Sequence, residues 1–266
     1  MGRTSLCAQS IACIMPAARV CNCSVDKKLR NTNQRQEPQA IGKTELRLMN
    51  SRGRELLLKY WDFSLFSSTL RRHGISLADK SVLDAGCGSG YTLTLIWERF
   101  HPAVLTAFDI VPSQVELAKA RGTPATVLVA DITSLDLPSE AFDAVFVCGV
   151  LHHCREWRRG IAEVARVLKS GGVLLIEEPD RAHLRFERRL AGHSPALDAG
   201  FSLEALRSEM GRNGLGVLAH RPLYFGLFGS LVCVKGAGAV GAYYSARHLL
   251  HSPSESELVA GQQAPA

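Results

Sequence analysis

Val82-Leu83-Asp84-Ala85-Gly86-Cys87-Gly88-Ser89-Gly90-Tyr91 is the stretch that decides how this chain folds. A short buried strand, Ser81 to Asp84, runs directly into a glycine-rich turn. A helix opens at about Tyr91, with Leu93, Ile96, Trp97 and Phe100 at helical spacing. Glycine is required where the chain turns tightly or where a side chain would block a ligand. Free N–H groups at a helix start favour a ligand with a negative end. A glycine-rich turn alone is a weak signal, because many nucleotide-binding folds carry one.

The strands that follow sharpen it. The second, Val104 to Phe108, ends in Asp109. A carboxylate at that tip can accept both hydroxyls of a ribose, each bond contributing roughly 1.5–3 kcal/mol. The third, Ala125 to Ala130, ends in Asp131-Ile132. There an acceptor for a purine's exocyclic amine sits beside an apolar face made by Ile132 and Ile110. The fourth, Ala144 to Cys148, leads into Gly149-Val150-Leu151-His152-His153. The fifth, Val173 to Glu177, follows a Lys169-Ser170-Gly171-Gly172 turn. Strand and helix alternate five times, which predicts a parallel sheet covered on both faces.

These segments together resemble the class I S-adenosylmethionine-dependent methyltransferases, in particular the broad group with small-molecule substrates. The matching residues are 82–90, Phe-Asp-Ile-Val-Pro (108–112), Ala-Asp-Ile (130–132), Phe-Asp-Ala-Val-Phe (142–146), Leu-His-His (151–153) and Leu-Lys-Ser-Gly-Gly (168–172). The resemblance runs from about Ser81 to Asp180 and more loosely to Lys235. It implies an α/β Rossmann-like fold: a seven-stranded, mostly parallel sheet with helices on both faces and an antiparallel last strand. It implies S-adenosyl-L-methionine as cofactor, held by Asp84, Gly86, Cys87, Gly88, Gly90, Asp109, Ile110, Asp131, Ile132 and Cys148. Asp84 would act on the cofactor end through the loop and its waters. Two departures are visible. Val111 stands at a helix cap where the family often has Ser, giving up roughly 1 kcal/mol of capping, and Ser170 stands where it often has Pro. A nicotinamide-binding Rossmann domain wants Gly-x-Gly-x-x-Gly. Here the third glycine, Gly90, comes one position early, and Asp84 fills a place usually apolar or small.

Composition narrows the rest. The 266 residues allow one comfortable domain with tails, and 46% hydrophobic content supports a core. No apolar run reaches 18 residues, so no membrane span is expected. The net charge of +6 is modest and scattered, so no nucleic acid is expected as a partner. Arg155, Arg158 and Arg159 read as a solvated helix face. The eight cysteines do not read as a disulfide framework and suit a reduced cytoplasmic setting. Cys21-x-Cys23 lacks the second spaced pair a metal site needs, so no metal is expected.

Residues 1–40 read as a disordered leader, faintly like an organelle transit peptide because no acidic residue precedes Asp26. The methyltransferase domain is expected over 41–236, with an N-terminal helical cap at 41–78, the cofactor core at 79–180 and a substrate-side insert at 181–201. A tail follows at 237–266. In the cap, Leu46, Leu48, Leu56, Leu57, Tyr60, Trp61, Phe63, Leu65, Phe66 and Leu70 have helical spacing and are expected to pack. Tyr60 and Trp61 alternatively face the bound sulfonium, since aromatic faces attract cations. In the insert, a helix over His183 to Leu190 carries Arg181, Arg185, Arg188 and Arg189, either solvated or holding an acidic substrate group.

The expected reaction is methyl transfer to a small organic or lipid-like acceptor. Alignment alone can lower such a barrier by roughly 7–11 kcal/mol, so a base is optional. His152 and His153 are candidates for substrate contact or base, with Glu178 and Asp180 behind them. An RNA or protein methyltransferase is one alternative. A protein that binds S-adenosylmethionine without transferring its methyl group is another, because the quoted residues report binding. Acceptor identity and oligomeric state are not legible in the sequence.

Overall fold

The computed structural model describes residues 50–184 and 200–236. The chain divides into two units, Met1–Glu37 and Pro38–Ala266, and every described residue belongs to the second. The expected leader, Leu46 and Leu48, Arg185, Arg188 and Arg189, and the tail lie outside the described residues.

Helix α1 (Arg52–Leu57) starts at Ser51, whose hydroxyl accepts from the Arg54 amide. It runs without a break through a π-helical segment (Leu58–Asp62) into α2 (Phe63–Arg72). The order continues with β1 (Ser81–Ala85), α3 (Tyr91–Phe100), β2 (Val104–Asp109), α4 (Pro112–Ala120), β3 (Thr126–Val129) and β4 (Phe142–Cys148). A 3-10 turn (Leu151–His153), α5 (Trp157–Val167) and β5 (Leu168–Pro179) follow, then α6 (Leu203–Arg212), β6 (Leu215–Leu223) and β7 (Phe228–Lys235).

The seven strands form one sheet in the order β3-β2-β1-β4-β5-β7-β6. β1 through β5 are mutually parallel; β7 runs antiparallel to both β5 and β6. The strand interiors are apolar on both faces because helices cover both. Along β4, Ala144 and Phe146 face α2, α3 and α4, while Val145 and Val147 face α5 and α6. Val173, Leu174, Leu175 and Ile176 of β5 alternate in the same way. Phe63 of α2 stacks on Phe146 at 5.6 Å between ring centres, anchoring the N-terminal helices to the sheet.

Two expectations are corrected. β5 begins at Leu168, not Val173: Leu168 pairs with Phe142, and the pairing resumes with Ala144 and Val173 after an irregularity. The Lys169–Gly172 stretch is therefore a bend inside a strand, with Gly171 at φ +76°. The packing expected of the whole cap fails in its first part. Leu56, Leu57, Tyr60 and Trp61 are exposed, and burial begins in earnest at Asp62 and Phe63. Arg158 and Arg159 are surface residues, as expected; Arg158 lies over the Trp157 ring.

Candidate functional site

Sheet order reverses between β1 and β4, and loops leaving their C-terminal ends part there to leave a crevice. The Gly86–Gly90 loop leaves β1 at this point. Gly86, Gly88 and Gly90 have φ of +79°, +53° and +83°, a region that disfavours side chains. Their reasons differ. A Cβ on Gly86 would lie 2.5 Å from Val150, and one on Gly90 only 2.7 Å from the Ala118 backbone of α4. A Cβ on Gly88 would meet nothing nearer than Gln114, at 4.0 Å. Gly86 and Gly90 let the loop pack; Gly88 is the glycine that faces open space.

The loop amides are less free than the sequence suggests. Gly86 and Cys87 both donate to the Phe108 carbonyl at 2.9 Å, and Gly88 donates to Asp109 Oδ2 at 2.9 Å. They tie β1's loop to β2 rather than waiting for a ligand. Cys87 turns its side chain into the core.

Asp109 is buried at the β2 tip, with Oδ1 accepting from the Val111 amide at 2.8 Å. That bond serves the start of α4 in place of a capping side chain at Val111, and Pro112 occupies the first helical turn. Each oxygen of Asp109 thus has one backbone donor and one further lone pair. Burial raises its carboxyl above the ordinary range, opposed by the Val111 and Gly88 amides.

Asp84 has no exposed surface. Its Oδ2 accepts from the Thr92 hydroxyl in the first turn of α3, and its Oδ1 has no partner among the described residues. Burial pushes this carboxyl up to about 7. A buried oxygen without a partner costs roughly 1–3 kcal/mol, which a bound ligand or water removes.

At β3, Asp131 is exposed and its Oδ1 accepts from the amide and hydroxyl of Thr133. Ile132 is buried and packs toward Gly160 of α5, and Ile110 is half-buried. Cys148 ends β4, and burial holds its thiol well above its usual value.

The loop after β4 hangs on one carboxylate. Glu178, fully buried at the end of β5, accepts from the amides of Val150 (2.8 Å), Leu151 (2.7 Å) and His152 (3.3 Å). Its Oε2 also lies 2.8 Å from His152 Nδ1. Burial pushes Glu178 up to about 7, while those amides pull the other way. Glu178 is therefore the holder of His152, not an independent base. Asp180 is likewise committed, accepting from the amides of Ala182 and Leu203. The His152 and His153 rings sit 3.8 Å apart.

Sequence reasoning missed Arg54, Asp62, Glu177 and Tyr224. Arg54 makes a two-pronged bond to Glu177 at 2.6 and 3.3 Å, and the Tyr224 hydroxyl lies 3.4 Å from Asp62 Oδ2. The available signals were a carboxylate between two aromatic residues, Trp61 and Phe63, and paired acids closing an apolar strand.

A model of the methyltransferase domain family matches residues 83–176, which hold the glycine loop, the tips of β2 and β3 and the loop after β4. Residues 83–176 carry a methyltransferase domain. The cofactor of this domain is S-adenosyl-L-methionine, and Asp84 Oδ1 and the open face at Gly88 fit such a ligand. Among similar proteins is a malonyl-[acyl-carrier protein] O-methyltransferase of Serratia marcescens, 35% identical over 102 residues (38% of this chain, 39% of that one). A phthiotriol/phenolphthiotriol dimycocerosates methyltransferase of Mycobacterium ulcerans is 32% identical over 122 residues (44% and 45%). The chain thus spans less than half the length of these two relatives. An S-adenosylmethionine-dependent methyltransferase from Mesorhizobium loti shares the fold, with a TM-score of 0.54 at 16% identity, covering 63% of this chain and 96% of that one. The methyltransferase domain has no helix, among the described residues, long and apolar enough to cross a membrane.

Proposed function

We propose that this chain transfers the methyl group of S-adenosylmethionine to a small organic or lipid-like acceptor. The observation that carries the reading is the convergence, at the point of sheet reversal, of Asp84 Oδ1, the open Gly88 and the Asp109 tip. S-adenosylmethionine, when bound, supplies an activated methyl on a sulfonium. In this reading Asp109 offers its remaining lone pairs to the ribose hydroxyls. Asp131, whose side chain is exposed, accepts from the adenine amine, with Ile110 beside the ring. Asp84 takes a donor through Oδ1. Gly86, Cys87 and Gly90 shape the loop by backbone and packing, and Cys148 borders the reacting end.

His152, with His153 beside it, is read as the acceptor contact from the β4 loop. Its ring is fixed by Glu178, which leaves little freedom to lose when an acceptor docks. Two of the relatives named above are methyltransferases of malonyl-[acyl-carrier protein] and of phthiotriol/phenolphthiotriol dimycocerosates, which supports a small or lipid-like acceptor.

Calorimetric titration with S-adenosylmethionine, S-adenosylhomocysteine and NADH tests the cofactor. Micromolar binding of the first two alone is expected, and NADH binding instead would sink the reading. Transfer of labelled methyl to an extract of small molecules, but not to RNA or protein fractions, separates the acceptor classes.

A further inference from the structure

Beyond the cofactor loop lies a closed polar group for which methyl transfer by itself gives no task. Arg54 commits its guanidinium to Glu177, whose side chain has no exposed surface. Asp62 is also fully buried. Its Oδ2 takes the long bond from Tyr224, and its Oδ1 has no partner among the described residues. Two buried carboxyls thus share one guanidinium, and that guanidinium sides with Glu177. The group is one positive charge short. Burial, then Glu177, push the Asp62 carboxyl up to about 8, so near neutral pH a proton fills the gap. A ligand cation can replace that proton.

The surroundings point to the acceptor side. Gly149, in the loop after β4, has φ +69°; a Cβ there would lie 3.3 Å from Arg54 Nη2 and 3.8 Å from His152 Cε1. The Cys148 thiol feels the charges of Glu177, Asp84 and Asp62 together, which sets it between the cofactor loop and this group. Asp62 ends the π-helical segment, a rare geometry that recurs at functional sites. The wide turn points Asp62 inward while Tyr60 and Trp61 face outward. The Trp61 ring stacks on Tyr224 at 5.8 Å, and Tyr224 holds the left-handed φ of 49° that non-glycine residues avoid. Aromatic faces beside a buried carboxyl suit a cation.

We propose that Asp62 anchors a basic amine carried by the acceptor, which takes the place of the missing positive charge beside Arg54 and Glu177. This names the acceptor class of the methyltransferase reading and rests on it.

The test uses the full chain saturated with S-adenosylhomocysteine and three probes that differ only at the head: 4-butylbenzylamine, 4-butylbenzyl alcohol and 4-butylbenzoate. By calorimetry the amine is expected to bind at least about tenfold more tightly than the alcohol, with the benzoate weakest. In buffers of different ionisation enthalpy, amine binding at pH 7 is expected to release about one proton. Asp62→Asn, with its fold checked by thermal melting, is expected to lose both the preference and the proton release. The wild-type proton count stands even if that variant fails to fold. Equal binding of the three probes, no binding of any, preference for the benzoate, or an intact amine preference in Asp62→Asn overturns the proposal. Failure of S-adenosylhomocysteine to bind the wild type overturns the methyltransferase reading itself, whatever the probes do.

Discussion

Asp109 holds two strands of argument at one residue. It pins the Gly88 and Val111 amides, one to each oxygen, and still presents lone pairs at the β2 tip. Asp109→Ala is expected to weaken S-adenosylmethionine binding at least about tenfold, the equivalent of one charge-assisted bond; unchanged affinity by calorimetry would remove Asp109 from the site. The three loop glycines separate by the same kind of reasoning. Gly90→Ala sets a methyl against the Ala118 backbone and is expected to destabilise the fold by roughly 1–3 kcal/mol or more. Gly88→Ala finds room, so its fold is expected to survive while cofactor affinity falls. Urea titration and calorimetry on both variants check this, and equal destabilisation by the two would contradict the division of roles.

At the scale of elements, the β4 loop and the π-helical segment are both held by distant side chains. Glu178→Gln leaves a poorer acceptor for three amides and the imidazole. It is expected to cost roughly 1–3 kcal/mol and to speed amide exchange at Val150 to His152; protection factors equal to wild type would show the loop is held otherwise. Within the π-helical segment the Lys59 carbonyl accepts from Arg99 of α3 at 2.5 Å. Elements of these two kinds differ in how much the sequence discloses. The parallel core was legible because Val82-Leu83, Val145-Phe146-Val147 and Val173 to Ile176 are continuous apolar runs, as a sheet covered on both faces requires. The loop glycines and Asp109 were legible because their spacing is local. Arg54 and Glu177 were not, since 123 residues separate them. Nor was Asp62: a π turn has no sequence period, and a single extra residue decides which side of the helix points inward. The Lys169–Gly172 bend misled because its glycines signal a turn while the strand runs on through it from Leu168 to Val173.

For the whole molecule, the buried acids set the pH response. Asp84 and Asp62 have ordinary values near 3.8 and are pushed up to about 7 and about 8, chiefly by burial. A carboxyl whose folded value is raised stabilises fully below its unfolded value, and that contribution is lost as pH rises through the folded value. The chain without cofactor is therefore expected to melt progressively lower between pH 5 and 8. Asp84→Asn and Asp62→Asn should each flatten that slope, leaving the remainder to the other acid and to Glu178. Scanning calorimetry across this range checks it; a slope identical in wild type and both variants would mean that these carboxyls stay charged.

The placement of β7 also fixes an order of assembly. The last strand of the sheet lies between β5 and β6, so neither can be joined to the other before it arrives. While the chain is being synthesised, β1 to β5 can already form a twisted parallel sheet, but β5 presents a bare edge and β6 has no neighbour. The bare edge carries Glu177 and Glu178, which pair in register with Ser230 and Gly229 of β7. A chain that ends before Phe228 therefore leaves one open sheet edge, on β5, and one unpaired strand, β6. Charged side chains on such an edge discourage it from recruiting another nascent chain, so the acids that serve the crevice in the finished protein also guard it during birth.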